Sequence, residues 1–462
     1  MEIKPRIGRY TVYACDYLKQ DSDVMKGGGT DETELLQAIL DKAEEWGGLT
    51  LEVDGAILTR GMAIHSNTTI HCANQNCGFF LKDGAAQPLA RNAHLSYLNI
   101  HDENISLLGG TYNLNSPGQD RAEVPVIPTE GEENLLSAWL MGIKFLGVRG
   151  LTMRDMRLVN QRTFAGLFAN WEHIVIENFA IDLLDERDAQ NQDGLHFWGP
   201  GRDLSIRNIR GGSGDDFMAL APDEHDFKSD ITDVLIDGVY LENADQGIRM
   251  LSRGPGKLDR VTVRNVYGTY KSCGFFINPA FGKGLGDCEG NYGSITLENI
   301  QLRQTYHKYA QHAHAFLFRI GGRMQSLTLK NIQAIEPNDA RPLVDISHIY
   351  GHWSRTGSCV DIANLTVDGL EILNREGTVD PADYISVDGK VDHLTVRNVL
   401  VNRDGHPAAD RLVAVKEAGQ VKSLMISQVQ AMGIDSVLDL QGGTVEHVYA
   451  DHVFLNDLEV LG

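Results

Sequence analysis

Two acidic motifs, Asn191-Gln192-Asp193-Gly194 and Gly214-Asp215-Asp216, place their aspartates 22–23 residues apart. Three carboxylates drawn together repel, so at least one of Asp193, Asp215 and Asp216 is expected to hold its proton above the ordinary aspartate range. One residue type then supplies both an acid and a base, the pairing that hydrolysis of a glycosidic bond needs. Each motif opens an alternating apolar segment, DGLHFWG and DDFMALA. If Leu195 and Phe197 point into a core, His196 and Trp198 point out beside the carboxylates. A tryptophan there suits stacking on a sugar ring. Further on, Gln246-Gly247-Ile248-Arg249 brings a guanidinium to the same strip. The candidate catalytic residues are Asp193, Asp215 and Asp216. The candidate substrate-binding residues are Asn191, His196, Trp198, Gln246, Arg249 and His225.

These motifs share a face only if their interval is a structural period, and the chain has such a period. The phrase apolar–x–apolar–x–Asn–apolar recurs as IVIENF, LSIRNI, VTVRNV, ITLENI, LTLKNI and LTVRNV. Degenerate copies are LTMRDM, VLIDGV, LTVDGL, LMISQV and VYADHV. The fifth residues run Asp155, Asn178, Asn208, Gly238, Asn265, Asn299, Asn331, Gly369, Asn398, Gln428 and His452, in steps of 23 to 38 residues. A second series of short apolar segments interleaves with the first, from GLFAN through DGLHFWG, QGIRMLS and GFFINP to VLDLQG. At least two strands per period of about 30 residues mark one coil of a solenoid, with equivalent strands stacked in parallel about 4.8 Å apart. The expected fold is all-β, a right-handed parallel β-helix. The recurring Asn or Gly marks the bend between strands, where left-handed backbone is tolerated and stacked amides can bond from coil to coil. A propeller would need hairpin-connected antiparallel strands, and leucine-rich repeats are shorter.

The whole chain, 1–462, is expected to be a single β-helix domain. Residues 31–46 carry a helical stripe of Leu35, Leu36, Ile39, Leu40, Ala43 and Trp46, read as an N-terminal capping helix. Asp31 and Glu34 are spaced as a capping box, and Gly47-Gly48 ends the helix. Residues 115–134, rich in prolines and acids, break the rhythm and read as a long loop.

On these motifs the chain resembles the polygalacturonase family, glycoside hydrolase family 28: NxDG, then GDD one coil later, then the strand Asp245-Gln246-Gly247-Ile248-Arg249. The opening GGGTDETELLQAILDKA is similar to the first coil of pectin-degrading β-helices. The resemblance implies an inverting hydrolase. In it Asp193 and Asp216 position the attacking water and Asp215 donates the proton. Three departures bear on the substrate. The family's GHG coil is missing, and His225 is the nearest histidine. Leu251 stands where the family has a lysine that pairs with a uronate carboxylate. His196 stands where it has an aspartate. A neutral or differently held sugar is therefore expected.

The formal net charge of −22 repels phosphate backbones and anionic lipid, so neither nucleic acid nor a membrane is an expected partner. The expected partner is an oligo- or polysaccharide. No apolar leader or membrane-spanning run is present, so a cytoplasmic enzyme is expected, or a secreted one if a leader was trimmed. Six scattered cysteines read as reduced thiols, with a Cys72–Cys77 disulfide as the alternative. No cofactor and no metal is expected: His307, His312 and His314 lack a ligand spacing, and Asp223, Glu224 and Asp226 read as a solvated loop, with a Ca²⁺ site or an extra acid as alternatives. Three functions stay open: glycoside hydrolase, polysaccharide lyase and non-catalytic carbohydrate-binding β-helix.

Overall fold

A computed structural model describes residues 3–5, 10–85, 87–119, 142–185, 191–224, 229–279, 289–305, 316–335, 342–347, 360–373, 383–402 and 411–461. The chain divides into two compact units, Met1–Ala219 and Leu220–Gly462. Each winds as a right-handed parallel β-helix.

In the first unit, alternation puts one apolar residue per coil at the same inward position. Val12, Leu51, Ile70, Leu107, Met153, Ile176 and Ile206 face one another rung by rung. All seven are sealed from solvent. A second side stacks Phe145, Phe168 and Phe197, with ring centroids 6.2 and 4.7 Å apart. A third stacks Ile57, Phe79, Tyr112, Leu158 and Ile181. The coil therefore has three sides here, where the sequence showed two strand series.

The second unit follows the same rule. Ile236, Val263, Leu297, Leu329, Val367, Val396 and Ile426 form one column. Ile248, Phe275, Phe318, Val344, Ile385 and Val413 form another. The last strand, Leu458–Leu461, turns back antiparallel on Thr444–Leu455.

All eleven recurring corner residues, from Asp155 to His452, have left-handed backbone, with φ between +51° and +82°. The two strand series run together through these corners, as in Gly166–Asp182 and Ile231–Met250, because one left-handed residue bends the chain without ending the ladder. The corner amides chain from coil to coil. Asn208 donates to Asn178 at 3.2 Å, Asn299 to Asn265 at 3.1 Å and Asn331 to Asn299 at 3.0 Å. Asn299→Ala loses both the ladder bonds and a side chain tolerant of this backbone, at an expected cost of about 2 kcal/mol. Asn299→Gly keeps the backbone and should cost less. Chemical-unfolding midpoints of the two variants decide this, and equal losses would remove backbone strain from the account.

The helical stripe forms two short helices, Thr33–Leu40 and Lys42–Trp46, with Leu36, Ile39, Leu40 and Ala43 buried. Gly47 ends the second in left-handed conformation, at φ +79°. The capping box is corrected. The N-cap is Glu32 without a side-chain cap bond, and Asp31 instead accepts from the Thr33 N–H and from Lys82. Gln37 anchors the helix to the strand Met62–Ile64 through both the N–H and the carbonyl of Ala63.

Of the stretch read as a loop, 115–119 makes a short turn in which Asn115 binds the Leu81 carbonyl and Asp83. Residues 120–134 lie outside the described residues. Cys72 and Cys77 are both thiols and form no disulfide. Burial, with Cys77 beside it, pushes the Cys72 thiol far above its ordinary range. No helix among the described residues is long and apolar enough to cross a membrane.

Candidate functional site

In the first unit the two acidic motifs occupy neighbouring rungs. The Gly166 N–H donates to the Gly194 carbonyl at 3.0 Å, and the Gly194 N–H donates to the Asp216 carbonyl at 2.8 Å. The Gly214 N–H also donates to the Gln192 carbonyl at 3.0 Å. Asp193 and Asp216 therefore leave the backbone about one rung, roughly 4.8 Å, apart. The approach is close because residue 194 has no side chain: a Cβ there would lie 2.2 Å from the Phe217 carbonyl oxygen.

Asp193 is buried, and its Oδ2 lies 2.8 Å from His196 Nδ1. A carboxylate accepts, so the imidazole carries the proton on Nδ1 in this contact. The Phe164 ring stacks flat on His196, with centroids 4.6 Å apart and planes 4° from parallel. Trp198 meets His196 edge-on at 5.9 Å. His196 is thus held by Asp193 and by two rings, one of which, Phe164, no motif signalled. The two residues are three apart in Asp193-Gly194-Leu195-His196, a spacing that becomes a contact only through the bend entering the strand Leu195–Trp198.

Some expectations change. Trp198 is 1% exposed, so no open indole face stands ready for a sugar ring. An outward register does not guarantee exposure when neighbouring chain covers the strand. Asn191 is half-buried, and the neighbouring Gln192 seats the loop instead. Fully buried, Gln192 donates to the carbonyls of Gln161 at 2.9 Å and Asp185 at 3.0 Å. Asp215 is half-buried, with its backbone carbonyl taken by the Ser213 hydroxyl at 2.7 Å, and Asp216 is buried.

Sequence reasoning also missed Lys144. It stands opposite Leu167, which stands opposite His196, with Arg91 on the preceding rung. Lys144 is 2% exposed. Burial, with Arg91 beside it, pulls its ammonium down to about 8. A base whose folded pKa lies below its unfolded value binds fewer protons when folded. Its burial therefore costs stability below about pH 8, and that cost fades as pH rises toward the unfolded lysine value. Lys144→Met is expected to be more stable than the parent at pH 7, with the difference shrinking from pH 8 to 10. Unfolding midpoints measured across that range check it; a constant difference would contradict the depressed pKa.

In the second unit Arg249 is buried, with its guanidinium 3.7 Å from the Phe276 ring centroid, a cation–π contact. Arg319 lies over the Phe316 ring at 4.7 Å. Gln246 is half-buried and pairs in register with Cys273. Leu251 is 4% exposed, packed as an apolar core residue. His225 and Asp226 lie outside the described residues, as do His307, His312 and His314.

The reading of Asp223 and Glu224 as a solvated loop is corrected, since both are buried. The Asp223 carboxylate accepts backbone N–H bonds from Arg253 at 2.7 Å, Gly254 at 2.9 Å and Gly256 at 3.1 Å. It is a structural clamp on that turn. Burial raises its pKa against the pull of those three donors.

No protein-family model matches the sequence, and no curated protein matches it. Solved structures do. A hyperthermoactive exopolygalacturonase from Thermotoga maritima is similar at TM-score 0.50 and 12% identity, over 95% of this chain and 94% of that one. A tailspike protein of E. coli bacteriophage HK620, solved in complex with a pentasaccharide, is similar at TM-score 0.58 and 11% identity, over 92% of this chain and 77% of that one. At such identities the likeness is one of fold.

Proposed function

We propose that the chain is a glycoside hydrolase acting on an oligo- or polysaccharide by an inverting acid/base mechanism. The observation that carries the reading is the rung-to-rung bond from Gly194 to Asp216, which brings NxDG and GDD side by side with Asp193 clasped by His196. Asp215, the half-exposed member, protonates the leaving oxygen. Asp193 and Asp216 orient and deprotonate the attacking water. His196 acts through Asp193: its Nδ1–H holds one carboxylate oxygen and so fixes where the other points. Arg249 and Gln246 belong to the second unit, and the reading does not rest on them.

The second reading is a lyase, in which a base abstracts a proton next to a carboxylate. Incubation with a panel of oligosaccharides, followed by NMR of the fresh product, separates the readings. Inverted anomeric stereochemistry supports the hydrolase. Retained stereochemistry overturns the inverting assignment. An unsaturated, ultraviolet-absorbing product overturns hydrolysis in favour of elimination. Binding without turnover leaves a non-catalytic carbohydrate-binding β-helix.

A further inference from the structure

Away from the acidic motifs, the start of the first unit gathers a second set of chemistry-bearing side chains. Glu44 sits on the helix Lys42–Trp46, His65 follows the strand Met62–Ile64, and His94 follows the strand Ala90–Asn92. The two strands pair in parallel with Ile64 opposite Asn92, so the histidines leave neighbouring rungs. One ligand atom from each of the three residues lies within 4.8 Å of the other two. The imidazole centroids are 5.6 Å apart.

We propose that Glu44, His65 and His94 bind a divalent transition-metal ion, with zinc the ion their donors suit best. Two imidazoles and a carboxylate form a borderline nitrogen–oxygen set with room for water at a fourth position. The nitrogens are already sorted for it. His94 Nδ1 lies 3.1 Å from the Asp102 carboxylate, which is buried and also accepts from the His94 backbone N–H at 2.7 Å and from Asn92 at 3.0 Å. That leaves His94 Nε2 as the ligand. His65 Nε2 lies 3.1 Å from Asp41, leaving Nδ1, a buried atom with no hydrogen-bond partner among the described residues. A carboxylate on the far nitrogen of each ring is the usual outer shell of metal-bound histidine: it fixes the tautomer and raises ligand basicity. Glu44 makes no ion pair among the described residues, whereas its neighbour Glu45 takes Lys42. Tetrahedral zinc places its ligands roughly 3.4 Å apart, so a side-chain shift of about an ångström closes the site. The ion would staple the N-terminal helices to the first coils, at the end of the stack where a solenoid lacks a neighbouring coil.

The site does not depend on the hydrolase reading. The test uses the full chain, stripped with chelator and titrated calorimetrically with ZnCl2, then with CoCl2 under visible spectroscopy. One equivalent of zinc is expected to bind, with the ligand-field bands of four-coordinate Co²⁺. Excess zinc is expected to raise the thermal midpoint, on the order of 5 °C. Glu44→Gln and His94→Ala should each weaken binding at least tenfold and abolish the thermal shift. His71→Ala, an exposed histidine paired with Glu52, should change neither. The exposed Glu44 site keeps the test free of folding defects. No stoichiometric binding, or binding untouched by Glu44→Gln and His94→Ala, would overturn the proposal and leave two aspartate-paired histidines in ring contact.

Discussion

Asp215→Asn is expected to lower turnover roughly 100- to 10,000-fold on the true substrate while leaving the fold unchanged. Asparagine has nearly the shape of aspartate but no proton to give at a leaving oxygen. The backbone at this position has a hold besides the carboxylate, because the Asp215 carbonyl takes the Ser213 hydroxyl at 2.7 Å. The substitution should therefore appear in kcat rather than in the unfolding midpoint. A substrate whose leaving group needs no protonation should recover much of the rate. Near-normal turnover on an ordinary glycoside, with thermal stability retained, would remove Asp215 as the acid.

The second large effect belongs to the backbone. Gly194→Ala places a methyl 2.2 Å from the Phe217 carbonyl oxygen and 3.1 Å from Ile181 Cδ1. The clash is with main chain, which cannot rotate away. The rung between Gly194 and Asp216 must open, and Asp193 and Asp216 move apart with it. A loss of about 3 kcal/mol is expected, together with a fall in activity. Gly84→Ala is the control. Its φ is +61°, but nothing lies within 4 Å of the new methyl, so only the backbone preference is lost, about 1 kcal/mol. Unfolding midpoints for both variants check this. Equal losses would mean that the close approach at Gly194 is not what seats the motifs.

Much of this was legible in the chain because it is local chemistry repeated. Nine of the eleven corner positions were visible as Asn, Asp or Gly at one place in a recurring phrase, residues that tolerate left-handed backbone, and Gln428 and His452 hold the same backbone in the degenerate copies. The core columns were visible as alternation, since a strand buries every second side chain. The neighbouring placement of NxDG and GDD followed from their interval matching one coil. The helical stripe was visible by its spacing, but its cap was not: Asp31 chose Lys82, 51 residues away, over the box residue Glu34.

Sequence by itself therefore determined the β-helix, its corners, its core faces and the rung-to-rung meeting of the two acidic motifs. These depend on residue type and period, and both are written along the chain. Only the tertiary structure decided what each polar side chain finds on the next coil or beyond it. It buried Trp198, turned Asp223 into a clamp for the turn at Arg253–Gly256, set Lys144 in register with His196 and gathered Glu44, His65 and His94. The physical reason is that coil lengths vary, so a partner's distance in sequence does not fix its place in space. Burial and pairing of a charged group depend on that place, not on the motif that carries it.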